Sequence, residues 1–379
     1  MTHPSPALEH LLAAAERPTP FLALDPAVAA DRYQRLAALF PGAAVRYAVK
    51  ACPHPAVLRA LAGQGCGFDV ASIGEIRLVL DAGAAPGVLC NGNPVRSRHD
   101  VAAAYTAGVR SWVTDSAEDL ELLGEHAPGS RVLARLLVSD AGAATPFLGK
   151  FGATADEAVR LLRAAPGRGL EPAGVAFHTG SQQCHPASFA TAVATALSVA
   201  SRAGLSRPVL DVGGGFPVAY REPVPTLDAF ATAIRAAVAD AVTAGVVEQA
   251  RLMLEPGRWI VAEAGVIRAT VLRVSRRPGI DDRRWVYLDV GRYTGLAETE
   301  NEAIAYAVRA PGRSGPAEAA VLSGPTCDGD DVLYRRRTCA LPLTLRAGDA
   351  LDLLATGAYT ASYASVGFNG HAPLAVVLV

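Results

Sequence analysis

The sequence predicts a parallel (β/α)₈ barrel joined to a smaller β domain, and three observations carry that prediction. Short apolar runs alternate with helical patterns from Val45 to Glu255, eight such runs fall in that interval, and after Gly265 the helical patterns give way to extended runs. The strand runs are Val45–Val49, Phe68–Ala71, Val88–Asn91, Ser111–Thr114, Val132–Val138, Gly174–His178, Val209–Val212 and Arg251–Glu255. Helical stretches over Ser72–Asp81, Ala117–Leu123, Asp156–Ala165, Pro186–Arg202 and Thr226–Ala244 fall between most of them. Eight repeats in roughly 240 residues match a (β/α)₈ barrel in length and count. A doubly wound sheet shares the alternation and is the competing architecture.

The expected division has three parts. Residues 1–25 form an N-terminal segment that joins the β domain through Phe21-Leu22-Ala23-Leu24, 26–264 form the barrel, and 265–379 form the C-terminal β domain. In the last part Val266–Ser275, Trp285–Val290, Ala319–Ser323 and Ala350–Ala355 read as extended. Ser139–Lys150 is too polar and Gly-rich for a helix or strand and is expected as a mobile loop.

Composition excludes several classes of function. Hydrophobic residues make up 51% and charged residues 19% of the 379, an ordinary globular balance. Net charge is −1 without a basic block, so neither nucleic acid nor an anionic membrane surface is an expected partner. Charged residues interrupt every apolar stretch before it could span a bilayer. Met1–Glu16 lacks the features of a signal peptide. The cysteines at 52, 66, 90, 184, 327 and 339 contain no CxxC pair, which favours reduced thiols in a cytoplasm over disulfides or zinc.

The chain has only two lysines, Lys50 and Lys150, and uses arginine at every other such position. Arginine stays protonated, whereas a lysine amine can be tuned to attack a carbonyl. Codon bias would produce the same count, so the surroundings of Lys50 decide its meaning. Lys50 follows the first predicted strand, Asp69 lies on the second, Asn91 ends the third and Arg135 lies on the fifth. His178 ends the sixth, Gly213-Gly214-Gly215 follow the seventh and Glu255 ends the eighth. In a barrel these positions share one mouth, where active sites of the fold are built.

Each motif alone has a plain structural reading. Three glycines form a tight turn as readily as a phosphate cradle, and they are not the GxGxxG of a dinucleotide site. Glu255-Pro256-Gly257-Arg258 reads equally as a helix start. His178-Thr179-Gly180-Ser181 has no second His or Cys at metal-ligand spacing. Gly324-Pro325-Thr326-Cys327-Asp328-Gly329 and Gly357-Ala358-Tyr359-Thr360 have turn composition whatever their function.

In combination, Tyr-Ala-Val-Lys at 47–50, Phe-Asp-Val-Ala-Ser at 68–72, Phe-His-Thr-Gly-Ser-Gln at 177–182, Asp-Val-Gly-Gly-Gly-Phe at 211–216, Glu-Pro-Gly-Arg at 255–258, Gly-Pro-Thr-Cys-Asp at 324–328 and Gly-Ala-Tyr-Thr at 357–360 resemble one family. It is the fold-type III pyridoxal 5′-phosphate (PLP) enzymes of the ornithine decarboxylase-like group, in their short bacterial form. The resemblance covers Tyr47 to Gly370 and implies an alanine racemase-like (β/α)₈ barrel plus β domain. It implies that Lys50 carries PLP through its amine, that Glu255 pairs with the ring nitrogen and that His178 stacks on the ring face. Ser181, Gly213, Gly214, Gly215, Gly257, Arg258 and Tyr359 would hold the phosphate, and Asp69 and Arg135 would stand near the reacting amine. Cys327 would reprotonate the product, and Asp328, Tyr359 and one of Glu302 or Glu298 would meet the substrate, the position of the family's second aspartate falling at Ala307. The Cys-Asp loop would act in the partner subunit of a head-to-tail homodimer. Lys150-Phe151-Gly152 matches the end of the family's mobile loop.

The implied activity is decarboxylation of a basic L-amino acid, ornithine to putrescine first and lysine second, within polyamine biosynthesis. A specialised substrate, diaminopimelate, a racemase and a PLP-binding pseudoenzyme are the alternatives. Diaminopimelate decarboxylases carry Cys-Glu-Ser where this chain has Cys327-Asp328-Gly329, and racemases place an arginine at the ring nitrogen where this chain has Glu255.

Overall fold

The structure is a computed structural model that describes residues 3–14, 16–147 and 149–379. Met1, Thr2 and Ala15 of the expected N-terminal segment, and Leu148 of the expected mobile loop, lie outside the described residues. The chain forms two compact units. One contains 30–217 and 224–259, the other 1–29, 218–223 and 260–379.

The first unit is a closed parallel barrel. Its strands are β1 (Ala44–Ala48), β2 (Gly67–Val70), β3 (Leu89–Asn91), β4 (Ser111–Thr114), β5 (Arg131–Leu136), β6 (Glu171–Phe177), β7 (Val209–Asp211) and β8 (Arg251–Leu254). Each pairs with the next, and β8 closes on β1 with Met253 opposite Ala44 and Leu254 opposite Val45. All eight predicted strands are present, because strands of a parallel barrel are covered on both faces and read as apolar runs. Cys90, Val113, Leu133, Ala176 and Met253 pack as one buried cluster within this unit. The expected helices appear as Ile73–Asp81, Ala117–His126, Ala155–Ala164, Pro186–Arg202 and Leu227–Thr243. Side-chain caps start several of them: Ser72, Ser116 and Thr154 each accept the backbone N–H three residues on.

The stretch 139–150 departs from expectation. Ala143–Thr145 forms a short strand antiparallel to Ser181–Gln183, and the other described residues of the segment remain loop and turn. Gly180, at φ +88°, immediately precedes the return strand, and a Cβ there would lie 2.4 Å from the Ala143 side chain.

The second unit is a mixed eight-stranded sheet. Phe21–Leu24 pairs antiparallel with Gly265–Arg277 and parallel with Ala375–Leu378. The units divide at 29/30 and 259/260 rather than at 25/26 and 264/265. The carbonyls of Ala262 and Ala264 already accept from the amides of Gly357 and Asp25 (2.9 and 2.8 Å). Val218–Pro223 joins this unit through Arg221, which donates to the carbonyls of Tyr306 (2.9 Å) and Arg337 (2.6 Å) and lies over the Tyr334 ring. The strand Val332–Pro342 was hidden by its exposed Arg335-Arg336-Arg337 run. Among the described residues no helix is long and apolar enough to cross a membrane.

Candidate active site

The barrel unit holds a cavity of about 200 Å³ lined by Lys50, Asp69, Arg135, Phe147, His178 and Glu255, among others. Strand ends from β1, β2, β5, β6 and β8 therefore deliver five of the sequence-predicted residues to one space. Lys50 sits on the 3₁₀ turn Val49–Ala51 between two buried neighbours. The turn is fixed from below, because Ala48 N–H donates to the Pro256 carbonyl at 3.1 Å. That bond places the segment after β1 beside the segment after β8, which carries Glu255.

Charge in this cavity is compensated rather than solvated. Burial, the Asp211 carboxyl and the Asp69 carboxyl push Glu255 well above the usual carboxylate range, and the Lys50 ammonium opposes them. Burial also raises Asp211 to about 6. Glu255 Oε1 and Asp211 Oδ2 are buried without a donor among the described residues. Burial, Arg135 and Lys50 together hold the His178 imidazole well below its ordinary value, so the ring is neutral near pH 7. Its Nδ1 accepts the Gly180 N–H at 3.0 Å, which leaves the ring proton on Nε2. Phe147 meets the same imidazole edge-on at 4.8 Å, and Arg135 lies over the Phe147 and Phe151 rings. Asp69 Oδ1 accepts from Gly92 N–H at 3.1 Å.

Ser181 and Arg258 meet in the same unit. Arg258 is buried and donates through Nε and Nη2 to Ser181 Oγ at 3.3 and 3.2 Å. Gly213 and Gly215 have φ of +65° and +89°, and a Cβ on Gly214 would lie 2.5 Å from the Glu255 carbonyl oxygen. Glycine is required at this turn because the backbone crosses so closely. Gly257 is buried between Pro256 and Arg258. Asn91, at the end of β3, accepts from Arg96 Nη1 at 3.1 Å and is held there as part of the Arg96–Asp119 pair.

Four more predicted residues belong to the β unit. Cys327 and Asp328 are exposed on a loop organised by buried Asp331, whose carboxylate accepts from Arg292 N–H (2.8 Å), Thr326 N–H (3.0 Å) and Thr326 Oγ1 (2.7 Å). Cys327 N–H and Sγ approach Asn369 Oδ1 at 3.3 and 3.5 Å. Tyr359 is half-buried at φ +53°. Glu302 needs correction as a substrate contact. Its carboxylate accepts the backbone N–H groups of Arg335, Arg336 and Arg337 at 2.9, 2.8 and 2.8 Å, so its oxygens are taken up inside the unit.

Sequence reasoning missed Asp211, Glu75, Arg46, Phe147 and Asp331. Glu75 accepts the Ala71 N–H at 2.7 Å and is raised to about 7 by burial, against that hydrogen bond and the Lys50 charge. In sequence Glu75 is simply the acidic residue of a capped first turn.

The pyridoxal-binding domain model of the pyridoxal-dependent decarboxylases matches residues 28–262. The chain belongs to that family. The decarboxylase is 32% identical to the lysine/ornithine decarboxylase of Selenomonas ruminantium, over 93% of this chain and 88% of the relative. It is 34% identical to the diaminopimelate decarboxylase of Actinosynnema pretiosum subsp. auranticum, over 92% of this chain and 81% of the relative. The structure of the Vibrio vulnificus lysine/ornithine decarboxylase complexed with cadaverine superposes with a TM-score of 0.87 at 30% identity and full coverage of both chains. The same enzyme complexed with putrescine gives 0.86, covering 100% of this chain and 99% of that one. The decarboxylase is thus a fold-type III carboxy-lyase whose cofactor is PLP. Its residues fit that group: an orphaned buried carboxyl oxygen suits a ring N–H, and an arginine beside a serine suits a phosphate.

Proposed function

We propose that this decarboxylase acts on a basic L-amino acid, with L-ornithine to putrescine and CO₂ as the first choice and L-lysine to cadaverine as the second. The observation that supports the reaction is the buried Glu255 oxygen without a donor, in a cavity shared with the Lys50 amine. In this reading PLP, carried on Lys50, would supply an electron sink for the electron pair left on the α-carbon when CO₂ departs. Glu255 would accept the ring N–H, and its desolvated site would make that bond strong. Neutral His178, braced by Phe147 and by Gly180 N–H, would stack on the cofactor without adding charge. Asp69 and Arg135 orient the reacting amine and carboxylate. Ser181, Gly213, Gly214, Gly215, Gly257, Arg258 and Tyr359 hold the phosphate.

The β unit supplies the remaining roles. Cys327 gives a proton to the product carbon, and Asp328 receives the distal ammonium of the substrate, in the site of a partner subunit of a homodimer. The support is that both side chains are exposed on a loop that Asp331 fixes from within. With Glu302 engaged by backbone, Glu298 is the second acidic residue for the distal amine. All six cysteines are free thiols, which suits the reducing cytoplasm proposed as the location.

The experiment is CO₂ release with product identification from PLP-loaded protein offered ornithine, lysine, arginine and diaminopimelate separately. Release from ornithine above lysine is the expected result. Release from diaminopimelate alone would overturn the basic-substrate reading. Mixing Lys50→Ala subunits, which should be inactive, with Cys327→Ala subunits, which should form the correct product poorly, should raise output of the correct product above that of either variant alone, and no such gain in verified mixed dimers would overturn the shared site.

A further inference from the structure

Asp211 and Glu255 end neighbouring strands: β7 finishes at Asp211, paired with Met253 of β8, and Glu255 follows two residues on. Their carboxyl groups lie within hydrogen-bonding reach of one another. Asp211 Oδ2 and Glu255 Oε1 are nevertheless both buried with no N–H or O–H donor among the described residues. Two carboxylates cannot bond to each other, because each only accepts. A single proton turns the contact into a donor and an acceptor and removes the like-charge repulsion.

The remainder of Asp211 is held in place. Its Oδ1 accepts the Gly213 N–H at 2.9 Å, and the Gly213 carbonyl accepts the Glu255 N–H at 2.8 Å. One glycine thus ties the Asp211 side chain to the Glu255 backbone. The groups acting on the pair are Arg46 from β1, Lys50 from the turn after it and Asp69 from β2, with the Cys90 thiol of β3 pushed up to about 12 by burial and so neutral. Arg46 and Lys50 against Asp69, Asp211 and Glu255 balance when one proton is retained. The upward direction of both carboxyls agrees.

We propose that Asp211 is a positioning residue that shares one proton with Glu255 and so fixes the Glu255 carboxyl in the orientation that meets the cofactor's ring nitrogen. This inference rests on the reading of Glu255 given above. Asp211 touches neither substrate nor cofactor. It limits Glu255 to one rotamer and keeps the pair at a single negative charge, the charge that a ring N–H bond calls for.

The test reconstitutes the apoprotein with PLP carrying ¹⁵N at the ring nitrogen, in the wild type, Asp211→Asn, Asp211→Leu and Glu255→Gln. The apparent dissociation constant of PLP and the ¹⁵N chemical shift are read. Asn keeps the shape and a donor toward Glu255, whereas Leu keeps the branching at Cγ and removes the donor. Asp211→Asn is expected within about threefold of the wild-type constant, with the nitrogen shift unchanged. Asp211→Leu is expected to bind PLP at least about tenfold more weakly, with the shift displaced toward the unprotonated value. A folded Asp211→Leu with wild-type constant and shift overturns the inference, as does Asp211→Asn impaired to the same degree as Leu. Glu255→Gln separates the two levels. If it leaves the nitrogen unmoved, the assignment of Glu255 itself fails; if it moves the nitrogen while Asp211→Leu does not, only the role of Asp211 fails.

Discussion

Glu255 and Glu302 are glutamates of one chain whose carboxyls are driven in opposite directions. Burial raises both. At Glu255 the neighbouring Asp211 and Asp69 add to that push, and the carboxyl is held well above its ordinary range. At Glu302 the backbone amides of Arg336, Arg337 and Arg335 outweigh burial and bring the carboxyl below it. The difference teaches that burial does not decide what an acidic side chain is for; the supply of donors does. Glu302, saturated with amides, builds the fold. Glu255, starved of them, keeps an oxygen available for a ligand.

The strongest way to break this comparison is to remove the cation that offsets Glu255. Lys50→Ala should lower turnover at least about a thousandfold and abolish the absorbance of bound cofactor. Full activity in that variant would end the scheme. At Glu302, replacement by Ala strands three backbone donors, and at φ +59° the residue already sits where non-glycine residues need support. A loss of about 2–4 kcal/mol in chemical denaturation is expected. The ratio of ornithine to lysine turnover should not change; a changed ratio would return Glu302 to the substrate.

The pH dependence sharpens the contrast, because the signs are opposite. The folded value of Asp211 lies above its ordinary 3.8, at about 6. Its contribution to apoprotein stability is therefore full below pH 3.8 and lost as the pH rises through about 6. The contribution of Glu302, whose folded value is lowered from 4.5, is present above pH 4.5 and lost as the pH falls through its folded value. Denaturation of the apoprotein across that range should show Asp211→Asn flattening the upper limb and Glu302→Gln the lower one. The smallest effect on stability is expected at Cys327→Ala, within about 0.5 kcal/mol because the side chain is exposed. Mass analysis of its product should still reveal misplaced protonation; a normal product would remove Cys327 from the chemistry.

Much of this was legible in the sequence. The barrel strands announced themselves as apolar runs, and Lys50, Asp69, Arg135, His178 and Glu255 were readable because each sits at or near a strand end. Asp211 was not, since an aspartate before three glycines looks like a turn residue, and its proton partner is 44 positions away. Asp331 and Glu302 act on backbone amides, and no side-chain pattern reports where amides point. Val332–Pro342 was missed for a related reason: its three arginines are exposed while their amides serve Glu302.

The closure of β8 on β1 has a consequence for biosynthesis. Lys50 leaves the ribosome some two hundred residues before the segment that carries Glu255 and Pro256, the latter's carbonyl anchoring Ala48. Until that segment emerges, the first strand has no partner on one edge and the lysine turn has no support beneath it. Any chain released before residue 256 is therefore born without a cofactor pocket, however well its earlier repeats have folded. A prematurely terminated chain keeps Lys50 but lacks the Pro256 carbonyl that holds its turn.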